Sequence, residues 1–116
     1  MVIYDLLNYV DCDKVVSMVK KFRDRKDDIR RNKRTRHPAI IFKKEGHNYW
    51  YHGLTHAPET DGIKNIKLNK NPNPNDSTPA YFRPEPQKDN KDMFDEKYDC
   101  WKLSKSDKKR MEKYQK

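Results

Sequence analysis

The chain has 116 residues, enough for one small domain with a modest core. Hydrophobic residues make up only 33% and charged residues 39%, so much of the chain should be surface or loop, but 11% aromatic residues argue against simple disorder. The formal net charge of +9 favours polyanionic partners, nucleic acid first among them.

The first ten residues, MVIYDLLNYV, contain Asp5 and Asn8 and lack the basic start of a signal peptide. No apolar run approaches membrane-spanning length, so we predict a cytoplasmic protein without membrane contact. Cys12 and Cys100 have no metal-binding spacing, which favours free thiols and leaves a single disulfide open.

Helical spacing of apolar residues predicts a short helix over residues 2–10 and a second from about residue 13 into the low thirties. Asp11 or Asp13 can cap the second helix. We therefore expect a single domain over residues 1–116, whose residues 1–35 form a helical segment. Residues 36–103 form a β core with long loops, and residues 104–116 form a terminal helix.

The end of the second predicted helix is strongly basic. Residues 20–36 carry ten lysines and arginines against three aspartates. Such a run is either a solvated face or a phosphate-binding surface. Its nucleic-acid-binding candidates are Lys20, Arg23, Arg30, Arg31, Lys33 and Arg34.

After Pro38 the pattern changes from helix to strand. The run PAIIFKK is rich in β-branched and aromatic residues, KEGH contains the turn residue Gly46, and NYWYHGLT returns as a second strand. We predict a hairpin that pairs residues 39–44 with residues 48–54.

The remaining chain alternates between short elements and polar loops. IKNIKL predicts a short strand, NKNPNPNDSTP an irregular excursion, and AYFRPEP an edge strand ended by its prolines. Residues 87–100 look polar, with anchors at Met93, Phe94 and Tyr98. Ser104 or Ser106 can cap a short C-terminal helix. The fold class is α+β, with a small antiparallel core, N-terminal helices and a short C-terminal helix.

One end of the predicted hairpin gathers polar groups suited to phosphodiester chemistry. Antiparallel pairing should bring Arg36 and His37, at its start, close to Thr55 and His56, at its end. Arginine stabilises phosphate charge, histidine moves protons near neutral pH, and threonine donates to a phosphate oxygen. These four are the catalytic candidates; the alternative is a set of polar strand ends and a turn cap. His52 and Arg83 join the nucleic-acid-binding candidates.

A metal centre is the competing interpretation of His52 and His56. No cysteine lies near them in sequence, and the chain has only three glycines and no glycine-rich phosphate loop. We therefore predict neither a metal nor another cofactor.

The stretch RHPAIIFKKEGHNYWYHGLTH resembles the MazF/PemK (Kid) ribonuclease toxins, in which a basic residue and a proline open an apolar strand and a second strand ends in a Leu-Thr-containing tetrapeptide. The tail WKLSKSDKKRMEKYQK is similar to the closing helix of that family, and the ToxN toxins carry comparable extra elements. The resemblance implies a small SH3-like β-barrel and metal-independent cleavage of single-stranded RNA by its own 2′-hydroxyl. It implies that Arg36 holds the phosphate, with Thr55 at the strand end and His56 in place of a serine.

The sequence therefore supports two candidate functions. The first is an endoribonuclease toxin of a toxin–antitoxin or phage-defence system, with single-stranded RNA as substrate, a protein or RNA antitoxin as partner, and a homodimer left open. The second is a non-catalytic basic nucleic-acid-binding protein of a mobile element. Convergence of Thr55, His56 and an arginine would favour the enzyme, and their separation would favour the binding protein.

Overall fold

A computed structural model of the chain describes residues 27–115, and over that range the protein is mostly antiparallel β-sheet with one helix near its C-terminal end. The strands are β1 Asp28–Asn32, β2 Pro38–Glu45, β3 Asn48–Thr55, β4 Glu59–Thr60, β5 Ile63–Lys64, β6 Ile66–Lys67, β7 Tyr81–Phe82, β8 Gln87–Asn90 and β9 Phe94–Lys97. The helix is α1, Lys105–Glu112. The antiparallel core and the C-terminal helix are thus confirmed, while the helices predicted before residue 27 lie outside the described residues.

The main sheet is open and does not form the closed barrel that the resemblance implied. Its strands run in the order β6-β7-β3-β2-β1-β9, and β8 pairs with the first half of β3 beside β7. A barrel needs its first and last strands to pair with a matched stagger. In the described chain β6 pairs only with β7, and β9 only with β1, so the ladder ends at both strands.

The predicted central hairpin is confirmed. β2 and β3 pair in antiparallel register from Ala39 opposite Gly53 to Glu45 opposite Asn48. The turn between them contains Gly46 at φ 61°, a left-handed conformation that glycine adopts without a steric penalty. The register shifts between Ile41 and Lys43, so Phe42 occupies a bulge.

The helix predicted into the low thirties is wrong for residues 28–32, which form strand β1. Ile29 is 0% exposed and lies opposite Ile40 of β2, while Asp28 and Arg30, two residues apart, join through a hydrogen bond of 2.8 Å. A period of two is that of a strand, and pairing with β2 overrides the helical spacing read from the sequence. The β core therefore begins near residue 28 and not at residue 36.

Residues 81–97 also differ from the prediction. β7 lies between β6 and β3 and is not an edge strand. β8 and β9 occupy a stretch for which the sequence indicates only polar residues with isolated anchors, because their exposed polar residues hide the strand alternation. Phe94 is the buried anchor of β9, with its ring 5.5 Å from that of Tyr49 and 5.3 Å from that of Tyr51. Met93 is exposed, so its predicted role as an anchor is wrong.

The hairpin is buried on both sides. On one side Ile40, Leu54 and Phe82 pack with Met111 of α1 in the larger apolar cluster. On the other side Tyr51 packs with Ala39, Ile41 and Phe94 in a smaller cluster. Because side chains alternate along a strand, Tyr51, Gly53 and Thr55 share one side of β3, which we call the Gly53 face.

The asparagine- and proline-rich segment 69–79 is organised by its own side chains. The Asn73 N–H donates to Asn71 Oδ1 at 2.9 Å, the Asn75 N–H to Asn73 Oδ1 at 2.9 Å, and the Thr78 N–H to Asp76 Oδ1 at 2.9 Å. These are turns in which a short polar side chain caps the backbone two residues on. The segment is irregular, as predicted, but it has a defined path.

Helix α1 starts as the sequence predicted. Ser104 is its N-cap and accepts a hydrogen bond from the Asp107 N–H at 3.1 Å. Cys100, a little before it, is not a free thiol, so the thiol prediction is wrong there, while Cys12 lies outside the described range. None of the helices in residues 27–115 is long and apolar enough to cross a membrane.

Candidate functional site

The turn that joins β1 to β2 presents Arg36 and His37 to solvent. Arg36 adopts φ 66°, its N–H donates to Asn32 O at 2.7 Å, and the Asn32 N–H donates to His37 O at 2.9 Å. Both side chains are exposed, and neither makes a hydrogen bond or an ion pair within residues 27–115. The turn therefore holds its backbone tightly and leaves a guanidinium and an imidazole open to a ligand.

At the end of β3, the side chains of Thr55 and His56 are hydrogen-bonded to other residues of the same chain. The Thr55 hydroxyl accepts from the Ala57 N–H at 3.1 Å, and His56 Nε2 lies 3.0 Å from Asp76 Oδ2. The Thr78 N–H, and then other contacts that include His56, lower the pKa of Asp76. Because this carboxylate can only accept, His56 Nε2 is the donor, and Nδ1 remains free on an exposed ring.

Asp76 was not among the sequence candidates. It lies twenty residues from His56 in the chain. The sequence around it, Asp-Ser-Thr, is typical of an Asx turn. That pattern predicts a turn but does not show that the carboxylate contacts His56. The segment 69–79 is therefore the element that orients the His56 ring.

Arg83 lies across the Gly53 face. Its Cδ is 3.6 Å from the position that a Cβ on Gly53 would occupy, and its N–H donates to Gly53 O at 2.9 Å. Its guanidinium has no hydrogen-bond or ion-pair partner in the described part of the chain. Arg83 thus lies on the same face of β3 as Thr55.

His37 belongs to the same end of the hairpin. The register places Ala39 opposite Gly53, so His37, two residues before Ala39, lies at the end of the hairpin where β3 reaches Thr55. We call His37, Thr55 and Arg83 the strand-end cluster. The other two catalytic candidates are its neighbours in sequence: Arg36 precedes His37 in the β1–β2 turn, and His56, which is bonded to Asp76, follows Thr55.

His52 is not a surface residue, and its prediction as a nucleic-acid-binding residue is wrong. It is 0% exposed, its Nδ1 donates to Arg83 O at 2.8 Å, and its ring lies 5.1 Å from that of Phe42 and 5.5 Å from that of Phe82. Strand alternation turns it into the larger apolar cluster together with Leu54. Burial lowers the pKa of His52, although the bond to Arg83 O opposes this shift.

This lowered pKa predicts acid sensitivity. Above the ordinary histidine value of 6.5 the ring is neutral in both folded and unfolded chains, so its contribution to stability is complete. As the pH falls below that value the unfolded chain takes up the proton more readily, and the free energy of unfolding falls by at most about 1.4 kcal/mol per pH unit. Denaturant unfolding between pH 7.5 and 5 should therefore show a loss that His52→Leu removes.

The exposed His47, in the β2–β3 turn, supplies the matched control. A His47→Leu variant should keep the pH dependence of the wild-type protein. Parallel stability curves for wild type and His52→Leu would contradict the assignment of the acid sensitivity to His52.

The basic segment 20–36 is less free than its sequence indicates. Lys20 and Arg23 lie outside the described residues. The other four nucleic-acid-binding candidates of the segment have carboxylate partners: Arg30 with Asp28 at 2.8 Å, Arg31 with Asp95 at 3.4 Å, Lys33 with Asp95 at 3.9 Å and Arg34 with Asp89 at 3.0 Å. Asp89 and Asp95 come from β8 and β9, so no local sequence pattern could have revealed the pairing of Arg31, Lys33 and Arg34.

Residues 27–115 contain no group of three or more histidine, cysteine, aspartate or glutamate side chains placed to hold one metal ion. Comparisons of the chain with protein-family models, with curated proteins and with solved structures found no match. The site is therefore interpreted from its own geometry.

Proposed function

We propose that this protein is a metal-independent endoribonuclease toxin of a toxin–antitoxin or phage-defence system, which cleaves single-stranded RNA at the strand-end cluster. The observation that carries the proposal is the position of Arg83: its side-chain stem lies over Gly53 on the face that also carries Thr55, and its guanidinium has no partner within residues 27–115. A cation on the same face as a hydroxyl donor can stabilise the charge that develops on a pentacoordinate phosphate.

The groups around this face can supply each part of the reaction. The 2′-oxygen of the RNA attacks the adjacent phosphorus, the bond from phosphorus to the 5′-oxygen breaks, and a cyclic phosphate and a 5′-hydroxyl result. His56 Nδ1, free because Nε2 donates to Asp76, takes the proton of the 2′-hydroxyl. His37, exposed at the other side, returns a proton to the leaving 5′-oxygen.

Thr55 and the two arginines act on the phosphate itself. The Thr55 hydroxyl accepts from Ala57, which leaves its O–H free to donate to a non-bridging oxygen. Arg83 holds the same phosphate, and the exposed Arg36 approaches it from the β1–β2 turn. In this role the protein acts in the cytoplasm, a protein or RNA antitoxin covers the cluster, and a homodimer is compatible with the open sheet edges.

The experiment that tests this function is an RNA cleavage assay in EDTA. A labelled single-stranded RNA is incubated with wild-type protein and with the Thr55→Ala, His56→Ala double variant, and the products are separated on a gel. We expect fragments ending in cyclic phosphate with the wild-type protein alone. A His47→Ala variant, altered at the far end of the hairpin, should cleave like the wild type.

The competing function is a non-catalytic basic nucleic-acid-binding protein of a mobile element. It is favoured by one observation: the Thr55 hydroxyl accepts from the Ala57 N–H and His56 Nε2 donates to Asp76, so within residues 27–115 neither side chain bonds to an arginine. Intact RNA in every lane, with binding whose log affinity falls linearly with log salt, would select it and overturn the enzyme. Such binding should weaken when Lys20, Arg23, Arg30 and Arg34 are neutralised.

A further inference from the structure

Arg34 is held by a polar network on the sheet. Its Nε lies 3.1 Å from Asp89 Oδ2, and its Nη2 donates to Asp89 Oδ2 at 3.0 Å and to the Tyr51 hydroxyl at 2.9 Å. Tyr51 in turn donates to Asp89 Oδ2 at 2.7 Å, and Asn32 Nδ2 donates to the same carboxylate at 3.0 Å. One edge of the guanidinium is therefore fully occupied.

The members of this network keep fixed charges. Burial opposes the ionisation of Asp89, but hydrogen bonds from Arg34, Tyr51 and Asn32 outweigh it and lower its pKa. Burial and the neighbouring Asp89 raise the pKa of Tyr51 to about 12, so its hydroxyl stays protonated. Neither group is a proton-transfer residue near neutral pH, and what the network does is hold Arg34 in place.

The remaining nitrogen of Arg34 is free. Nη1 makes no hydrogen bond within residues 27–115, and 54% of the Arg34 side chain is exposed. Its two N–H groups point away from the occupied edge, because the guanidinium is planar. A guanidinium that is already immobilised loses little side-chain entropy when a ligand binds.

The other paired cations are arranged differently. Arg30 is only 22% exposed and packs over the Tyr49 ring, 5.5 Å from its centroid, which leaves little of it for a ligand. Arg31 and Lys33 share the exposed Asp95 at 3.4 and 3.9 Å, a loose pairing that fixes neither side chain. Arg34 alone among these four combines an exposed head with several well-placed partners.

We propose that Asp89 and Tyr51 are positioning residues that hold Arg34 so that its Nη1 binds a phosphate of the single-stranded RNA, next to the phosphate held by Arg83. Tyr51 lies two residues before Gly53 on the Gly53 face, about 7 Å along β3, which places Arg34 beside the strand-end cluster and not within it. The inference rests on the proposed function and adds the path that the RNA follows across the sheet.

The test measures binding apart from cleavage. The full chain is titrated with a labelled single-stranded RNA whose 2′-hydroxyls are methylated, so that it cannot be cut, over a series of salt concentrations. We expect Arg34→Ala to weaken binding about tenfold and to reduce the slope of log affinity against log salt by about 1. Arg31→Ala, which removes the same charge from a loose pair, should change both quantities less.

Tyr51→Phe tests the positioning role, because it removes a hydroxyl and no charge. We expect a loss of affinity of about two- to threefold. This loss should disappear when Arg34 is already alanine, since the hydroxyl acts only through that arginine. Tyr98→Phe, whose hydroxyl has no hydrogen-bond partner in the described chain, is the matched control. A loss from Tyr51→Phe that persists in the Arg34→Ala background would mean a merely structural role and overturn the proposal.

The remaining outcomes separate the two proposals. Equal effects of Arg34→Ala and Arg31→Ala, with unmodified RNA still cleaved, would overturn the role of Arg34 and leave the endoribonuclease standing. If Arg34→Ala bound RNA more weakly but the wild-type protein left unmodified RNA intact, the phosphate contact of Arg34 would be supported and the endoribonuclease activity would be overturned. A wild-type protein that binds no RNA would overturn both.

Discussion

Replacing Arg83 with alanine is expected to slow RNA cleavage by about 100-fold, the usual cost of losing one donor to a charged transition state. The guanidinium has no partner of its own within residues 27–115, and its stem rests on Gly53 beside Thr55. The rate should be measured as single-turnover cleavage of a labelled single-stranded RNA, so that binding and chemistry are separated.

Two further arginine variants serve as controls for the Arg83→Ala rate. Arg36→Ala removes the residue that the family resemblance assigned to the phosphate, and Arg31→Ala removes an exposed cation paired with Asp95. We expect a smaller loss for Arg36→Ala and almost none for Arg31→Ala. If Arg83→Ala cleaved RNA at the wild-type rate and Arg36→Ala did not, the role of Arg83 would be contradicted, and Arg36 of the β1–β2 turn would be the residue that holds the phosphate.

Replacing Asp107 with alanine is expected to lower the free energy of unfolding by about 3 kcal/mol. Asp107 is 0% exposed, and its carboxylate accepts from the Asn69 N–H at 2.8 Å, from the Lys70 N–H at 3.1 Å and from Arg110 Nη2 at 2.7 Å. Alanine leaves the two backbone N–H groups without this acceptor and releases α1 from the start of the segment 69–79, while Arg110 keeps its bond to Lys67 O. Denaturant unfolding at neutral pH measures the loss.

Asp95→Ala is the matched control, because that carboxylate is exposed and pairs loosely with Arg31 and Lys33. It should cost less than about 1 kcal/mol. Burial opposes the ionisation of Asp107, but its hydrogen bonds outweigh it and lower its pKa below 3.8. Its contribution is therefore present above that pH and is lost as the pH falls further. Equal losses for the two variants would contradict the anchoring role of Asp107.

The hydrogen bonds of Asp107 also connect the stability of α1 to the strand-end cluster. The segment that begins at Asn69 continues to Asp76, which orients His56. If cleavage depends on His56, the Asp107→Ala protein should lose activity at temperatures where the rest of the sheet is still folded. The anchor and the strand-end cluster are thus two ends of one ordered segment.

Local sequence determined the parts of this protein whose interactions span only a few residues. The β-branched run before Gly46 and the aromatic run after it specify the hairpin of β2 and β3, since pairing and turn lie within eighteen residues. Ser104 specifies the start of α1, because its cap bond reaches three residues on. Arg36 and His37 could be placed before β2, and Thr55 and His56 at the end of β3, for the same reason.

Only the tertiary structure decided the remaining features. β1 is a strand because Ile29 meets Ile40, although its sequence also fits a helix. His52 is buried and the half-buried Arg83 lies over Gly53 because β7 joins the end of β3, a pairing that no local pattern encodes. Asp76, Asp89 and Asp95 meet their cations and His56 across twenty or more residues, and such contacts depend on how the whole chain closes its loops and packs.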